Sequence, residues 1–299
     1  MKNKFQSVIV VVGMLLACIN MQAQVIDLQV VTKTFEEEIP FTDGQQLIIE
    51  GNKSEVDVIT WDENYIQAKV KMVAKHPELA VAKKEIEFIE YFTESNSDDI
   101  KIGNRISSDS LTAGLKIYYE ISVPQNCKIE LANYFGKANL TDINHGLDIN
   151  SEFCNVELEN IEGNVKVNTY YGDLIGVMIN GNMDILAKRS NVTLSEISGK
   201  FDIKASKGSI KIFANQSYLD LNIDAEKTDV FFYDQLLNAY NFDLKSKDGD
   251  IELPENLYAK YDLNDSGIKN AVIKPQTELS GIRVAINVNY GDIKIASSN

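Results

Sequence analysis

The chain has 299 residues, 44% of them hydrophobic, with 29 Lys and Arg against 44 Asp and Glu for a net charge of −15. That length and apolar share are enough to bury a sizeable core. An acid excess of this size repels phosphates, which argues against nucleic acid and anionic lipid as partners and leaves divalent cations, basic partners or plain solubility.

The first residues set the compartment. Lys2 and Lys4 precede an apolar run at 8–17, and Met21-Gln-Ala23 then offers a small residue before Gln24. That order is a secretory signal, too short to span a bilayer, so 1–23 is expected to be cleaved and the protein exported to the periplasm or cell surface. Leu15-Leu-Ala-Cys18 offers a second outcome, a lipobox whose Cys18 would carry a lipid and tie the protein to the outer membrane. No other segment is long and apolar enough to cross a membrane as a helix. Residues 24–299 then read as a single elongated β-repeat domain, with an insertion at 76–113 and its most regular coils over 125–254.

Along the chain, Gly51-Asn-Lys-Ser-Glu-Val-Asp-Val58 is a first copy of a unit that recurs later. Pro77 followed by good helix formers to Glu85 predicts a short helix near 77–90. Ile86-Glu-Phe-Ile-Glu-Tyr-Phe92 suits either its extension or a strand. Residues 93–113 are rich in Ser, Asn and Asp and read as loop with one strand, Ile100-Lys-Ile102. Leu115-Lys-Ile-Tyr-Tyr-Glu-Ile-Ser-Val123 is a strand that enters the repeat region and ends at Pro124.

From Asn133 a unit of 18 residues repeats without a gap, beginning again at Ser151, Thr169, Ala187 and Ala205. One column reads Ala138, Val156, Leu174, Val192, Ile210; the next Leu140, Leu158, Gly176, Leu194, Ile212; a third Ile143, Ile161, Ile179, Ile197. The other half of each unit holds pairs such as Val165 with Val167, Phe201 with Ile203, and Leu219 with Leu221. A small residue recurs at Gly136, Cys154, Gly172, Ser190 and Gly208, and Gly163, Gly181 and Gly199 mark the opposite turn. Apolar residues two apart with polar ones between are strand alternation. Two short strands cannot close a core alone, but coils stacked about 4.8 Å apart bury one continuous column. The fold class expected is all-β, a single-stranded β-solenoid or β-helix-like stack of 18-residue coils. Looser copies follow at Ala225, Ser246 and Val288.

Tyr119-Glu-Ile-Ser-Val-Pro124, followed by short coils carrying Tyr171-Gly-Asp-Leu174, Lys207-Gly-Ser-Ile210, Asp248-Gly-Asp-Ile251 and Tyr290-Gly-Asp-Ile293, resembles the bacterial DUF4097 family of adhesin-like proteins. The resemblance covers roughly 44–296. It implies an exported repeat architecture and, through the family's name, adhesion; it brings no catalytic or ligand residues.

The candidate sites are few. Asp262-Leu-Asn-Asp-Ser-Gly267 begins like a calcium loop, but Ile273 stands where a bidentate Glu is required, so a polar turn is expected. Asp248-Gly-Asp250 with Glu252 reads as a solvated acidic turn. His76 and His145, with Cys127 and Cys154, cannot supply the usual zinc sets, and the two thiols sit at different points of the coil, hence free and buried. No metal and no cofactor is expected. Asp148, Lys166, Asp184, Asp202 and Asp220 form an outward column with no His or Arg in register, and no P-loop, G-x-S-x-G or H-E-x-x-H is present. Catalysis by a β-helix carbohydrate-active enzyme is therefore the weaker reading.

What remains is aromatic. Phe135, Phe153 and Tyr171 share one column, with Tyr134 and Tyr170 beside them, and the column runs on as Arg189 and Lys207. Such rings either cover a corner of the coil or bind a partner. The functional expectation is a non-catalytic envelope protein presenting a rigid surface to an envelope protein or a glycan. The alternative is a periplasmic partner of an envelope-sensing system.

Overall fold

The computed structural model describes residues 27–298 apart from 109, 216, 264–266 and 276–281. The signal at 1–23, with Cys18 and Gln24, lies outside the described residues, as does the middle of the Asp262–Gly267 turn.

Among the described residues, alternation of apolar and polar residues lays the chain into eighteen strands of one sheet. The N-terminal third holds β1 (Gln29–Pro40), β2 (Gln46–Asn52), β3 (Ser54–Trp61), β4 (Tyr65–His76), β5 (Ile89–Ser95), β6 (Asp99–Ile106) and β7 (Gly114–Pro124). The long coils follow as β8 (Lys128–Thr141), β9 (Leu147–Tyr170), β10 (Leu174–Lys188), β11 (Asn191–Phe213) and β12 (Leu219–Asp234). Shorter strands close the chain: β13 (Asn241–Lys247), β14 (Ile251–Glu252), β15 (Lys260–Leu263), β16 (Ile268–Ile273), β17 (Arg283–Asn289) and β18 (Ile293–Ser297).

The parallel register of the coils is the one the repeat requires. Leu174 pairs with Val156 below and Val192 above, and all three are wholly buried. Four successive coils, from β8 onward, bend three times rather than twice. In the coil of β9 the bends fall at Phe153, Asn160 and Gly163, all with positive φ. The short side between the last two carries the buried Ile143, Ile161, Ile179 and Ile197.

Coils do not all stack in chain order. β2 and β3 lie between the coil of β6 and β7 and the coil of β8: Leu47 pairs with both Ile100 and Ile129, and Val56 with both Tyr119 and Ala138. At the other end β17 and β18 lie between β12 and the pair β13 and β14, so Ile286 meets both Ile223 and Leu244. A coil with the right apolar columns fits any layer, so the period alone carries no stacking order. Antiparallel strands cap both ends, β4 on β7 with β1 on β4, and β16 on β13 with β15 on β16.

One column expected from the sequence is corrected. The connection between Phe213 and Leu219 lengthens its coil by two residues, so Phe201 pairs with Leu221, not Leu219, and Asp202 faces Asn222. Asp220 leaves the acidic column for Lys200, and Arg283 donates to its carboxylate at 3.4 Å.

The insertion is more ordered than its composition suggests. Helix α1 (Leu79–Glu85) starts two residues after Pro77 and buries Ala82, while Ile86–Phe88 is a 3₁₀ turn and Ile89 begins β5. Residues read as loop belong to β5 and β6, and β6 docks in parallel on β2. Glu85 anchors the far loop: it accepts hydrogen bonds from the amides of Ala113 (2.6 Å) and Thr112 (2.8 Å) and from the Thr112 hydroxyl (2.9 Å). The Ala113 amide, with help from Thr112, holds its carboxyl below the ordinary carboxylate value against the opposing effect of burial. A lowered folded pKa stabilises above the unfolded value, and that contribution is lost as pH falls through the folded one. Urea unfolding of Glu85→Gln is expected to show lower stability than wild type at pH 7, with the gap narrowing below about pH 4. A gap independent of pH would refute this role.

Candidate interaction surface

The first bend is left-handed in nine of the coils. In stacking order its residues are Lys53, Phe135, Phe153, Tyr171, Arg189, Lys207, Lys227, Tyr290 and Asp248, with φ between 52° and 61°. Glycine, Asn or Asp adopts this conformation at least cost, and a bulky side chain there is strained. The second bend follows that rule more closely, with Asp142, Asn160, Met178 and Glu196. The first bend departs from it and spends the position on rings and long cations.

The residue after the bend explains the small column. Ser54, Gly136, Cys154, Gly172, Ser190 and Gly208 alternate glycine with a small side chain, layer by layer. A Cβ at Gly136 would stand 1.7 Å from the Ser54 carbonyl oxygen, and at Gly172 or Gly208 2.0 Å from that of Cys154 or Ser190. Backbones touch at this corner, so from Ser54 to Gly208 every second layer has room only for hydrogen, and beyond Thr228 the successive layers of Gly291 and Gly249 are both so restricted.

Stacking offsets part of the strain. Phe135 and Phe153 lie 5.0 Å apart with 1° between planes, and Phe153 and Tyr171 4.7 Å apart with 10°. The Arg189 guanidinium carbon sits 5.1 Å from the Tyr171 centroid and closes the pile. The rings remain 56%, 44% and 43% exposed. Because their faces are turned to one another, they offer solvent mainly their edges.

Of the five residues singled out from the sequence, these three form the ladder. Tyr134 and Tyr170 precede it on the outward strand face but do not stack, because Glu152 lies between them in register. Lys188 covers the Tyr170 ring with its Nζ at 5.3 Å. Lys53, Lys227, Tyr290 and Asp248 share the bend; the sequence places them in copies of the unit, but the column was not carried on to them. The signal was the small or threonine residue that follows each of them, at Ser54, Thr228, Gly291 and Gly249.

The other candidates resolve into structure. Asp250 pairs with Lys269, and its amide donates to Asp292 Oδ1 at 2.8 Å, while Glu252 meets Lys294 at 2.9 Å. His145 shares a shallow groove with Asp148, Lys166 and Asp184, nearer the acidic column than the sequence register indicates. Among these four side chains none hydrogen-bonds another, and Asp148 Oδ1 has no hydrogen-bond partner. Cys127 and Cys154 are buried free thiols whose burial pushes their pKa up to about 12 and about 11, which leaves them poor nucleophiles. Among the described residues no cluster of three His, Cys, Asp or Glu could hold a metal, and no helix is long and apolar enough to cross a membrane.

Stacked parallel coils with a left-handed, small-residue corner define a β-solenoid of a particular kind. Over residues 28–296 the chain matches the Toastrack DUF4097 family, and it belongs to that family. Solved structures similar to it include a candidate cell adhesion protein from Clostridium sporogenes, at 12% identity over 90% of this chain and 100% of the other, with a TM-score of 0.29. A candidate lipid-binding protein from Parabacteroides distasonis is 13% identical over 89% and 96%, with a TM-score of 0.46. A candidate adhesin from Bacteroides fragilis is 12% identical over 88% and 97%, with a TM-score of 0.38. No curated protein matches the sequence.

Proposed function

We propose that this is a non-catalytic, exported scaffold of the cell envelope whose first-bend ridge docks a partner protein. The observation that carries the reading is the placing of Phe135, Phe153 and Tyr171 at positions where the backbone favours small polar residues, with their edges exposed. Strained positions held by otherwise costly residues point to use. Ring edges with adjoining cations suit the apolar and acidic side chains of a protein. A sugar stacks on an open ring face, and here the inner faces are taken by neighbouring rings and one outer face by Arg189.

The triple variant Phe135→Asn, Phe153→Asn, Tyr171→Asn tests this, since Asn tolerates the left-handed bend. It should stay folded by circular dichroism and lose the envelope proteins that wild type captures. Equal capture by both forms would sink the proposal, and retention of a polysaccharide instead would redirect it to a glycan. Export is tested separately by mass spectrometry of the native protein. A chain beginning at Gln24 is expected, and an acylated Cys18 would replace free export by a membrane anchor.

A further inference from the structure

β1 is the outermost strand at the N-terminal end of the sheet, twelve residues long, and among the described residues it pairs with β4 alone. A free edge of that length invites a further strand unless it is broken by a bulge, a proline or charge. Here Pro40 comes only at its last residue. The edge is charged, but unevenly. Glu36 and Glu38 stand in the second half of its groove face, while the first half shows Val30, Thr32 and Thr34. Behind that first half lies a groove of about 500 Å³ whose lining includes Lys71 and Lys75 of β4 and Tyr118 of β7. Val73 lies on its floor, 4% exposed, while Val30 at the rim is 53% exposed. Lys69 is matched by Glu36 at 3.5 Å, whereas Lys71 and Lys75 have no ion-pair partner among the described residues. A chain with a net charge of −15 thus keeps unmatched lysines beside an unpaired edge.

We propose that this edge is a self-association site, at which β1 of a second copy of the chain adds antiparallel to β1. In a two-fold arrangement centred on Thr34, Thr32 faces Glu36 of the second copy and Val30 faces its Glu38. Register within the chain sets Lys75 directly behind Val30 and Lys71 behind Thr34. The acids of one copy therefore enter the lysine-backed half of the other, and symmetry makes the exchange twice. Strands lie about 4.8 Å apart, so a Lys75 side chain reaches a carboxylate one strand beyond β1. A parallel copy would set acid beside acid and is disfavoured. The charges that blunt this edge against other strands thereby select its own.

The test is a charge exchange on the processed protein, read by sedimentation equilibrium. Wild type should dimerise, with a dissociation constant that rises with salt. Glu36→Lys with Glu38→Lys, and separately Lys71→Glu with Lys75→Glu, should each weaken the dimer at least about tenfold through like-charge contact. The Glu36 to Lys69 pair lost in the first variant is exposed and contributes little to folding. Mixing the two variants should restore a dimer, because each then meets its opposite. A monomeric wild type overturns the proposal, including one that binds a poly-glutamate peptide, which would mark the groove as a site for an acidic foreign strand. Variants that associate as wild type does, or a mixture that stays monomeric while both partners are folded, overturn it equally.

Discussion

Leu158→Asp is expected to abolish folding, while Glu157→Lys, one residue earlier, changes stability by less than about 0.5 kcal/mol. Leu158 is 1% exposed and pairs in register with Leu140 and Gly176, inside a column with no polar partner. A carboxylate there either stays charged without water or takes a proton at a cost of several kcal/mol. Glu157 points outward and meets Lys137 at 2.9 Å with both side chains well exposed, an arrangement worth little. Circular dichroism and urea titration of the two variants measure the contrast. Similar losses at both positions would mean that the strand phase is wrong, since a shift of one residue exchanges the faces.

The strand phase was legible because it repeats. Val156, Leu174 and Val192 fall 18 residues apart, and any error in register would have put one of them into solvent. The stacking order was not legible. β2 and β3 carry the same columns as β9, and nothing local in Val56 or Val58 records that Tyr119 and Ala138 lie on either side of Val56. The two-residue shift at Asp220 was hidden for a related reason: Leu219, Leu221 and Ile223 continue the alternation, so the column can be entered at either of two points with equal apolar fit.

The aromatic column was legible as a column at a corner of the coil, but its left-handed backbone was not. Composition cannot show that Phe153 has a φ of 52°, because Phe is a poor choice for that conformation. The neighbouring glycines held the information. Gly136, Gly172 and Gly208 recur every 36 residues with Cys154 and Ser190 between them, a period of two coils. A period of two coils is the mark of a contact between layers, where one partner must be small and the other need not be. Local strand propensity has no reason to alternate in that way.

That contact gives the second large effect. Gly172→Ala is expected to cost about 1–3 kcal/mol or more, although it adds a single methyl group. The new Cβ would lie 2.0 Å from the Cys154 carbonyl oxygen, 2.7 Å from its carbonyl carbon and 3.0 Å from its nitrogen. These are backbone atoms fixed by the ladder between β9 and β10, where Val156 donates its amide to the Asp173 carbonyl at 2.8 Å, so they cannot turn aside as a side chain would. Relief requires prising the two coils apart at the base of the Phe153 to Tyr171 stack. Gly114→Ala is the control: its Cβ meets nothing closer than the Lys75 carbonyl oxygen at 3.8 Å, and its stability should stay within about 0.5 kcal/mol of wild type. Adding Cys154→Gly to Gly172→Ala should not restore stability, because removing the Cys154 side chain leaves its carbonyl where it was. Urea midpoints of the three variants measure this, and recovery in the double variant would show that the corner is closed by side chains instead of by touching backbones.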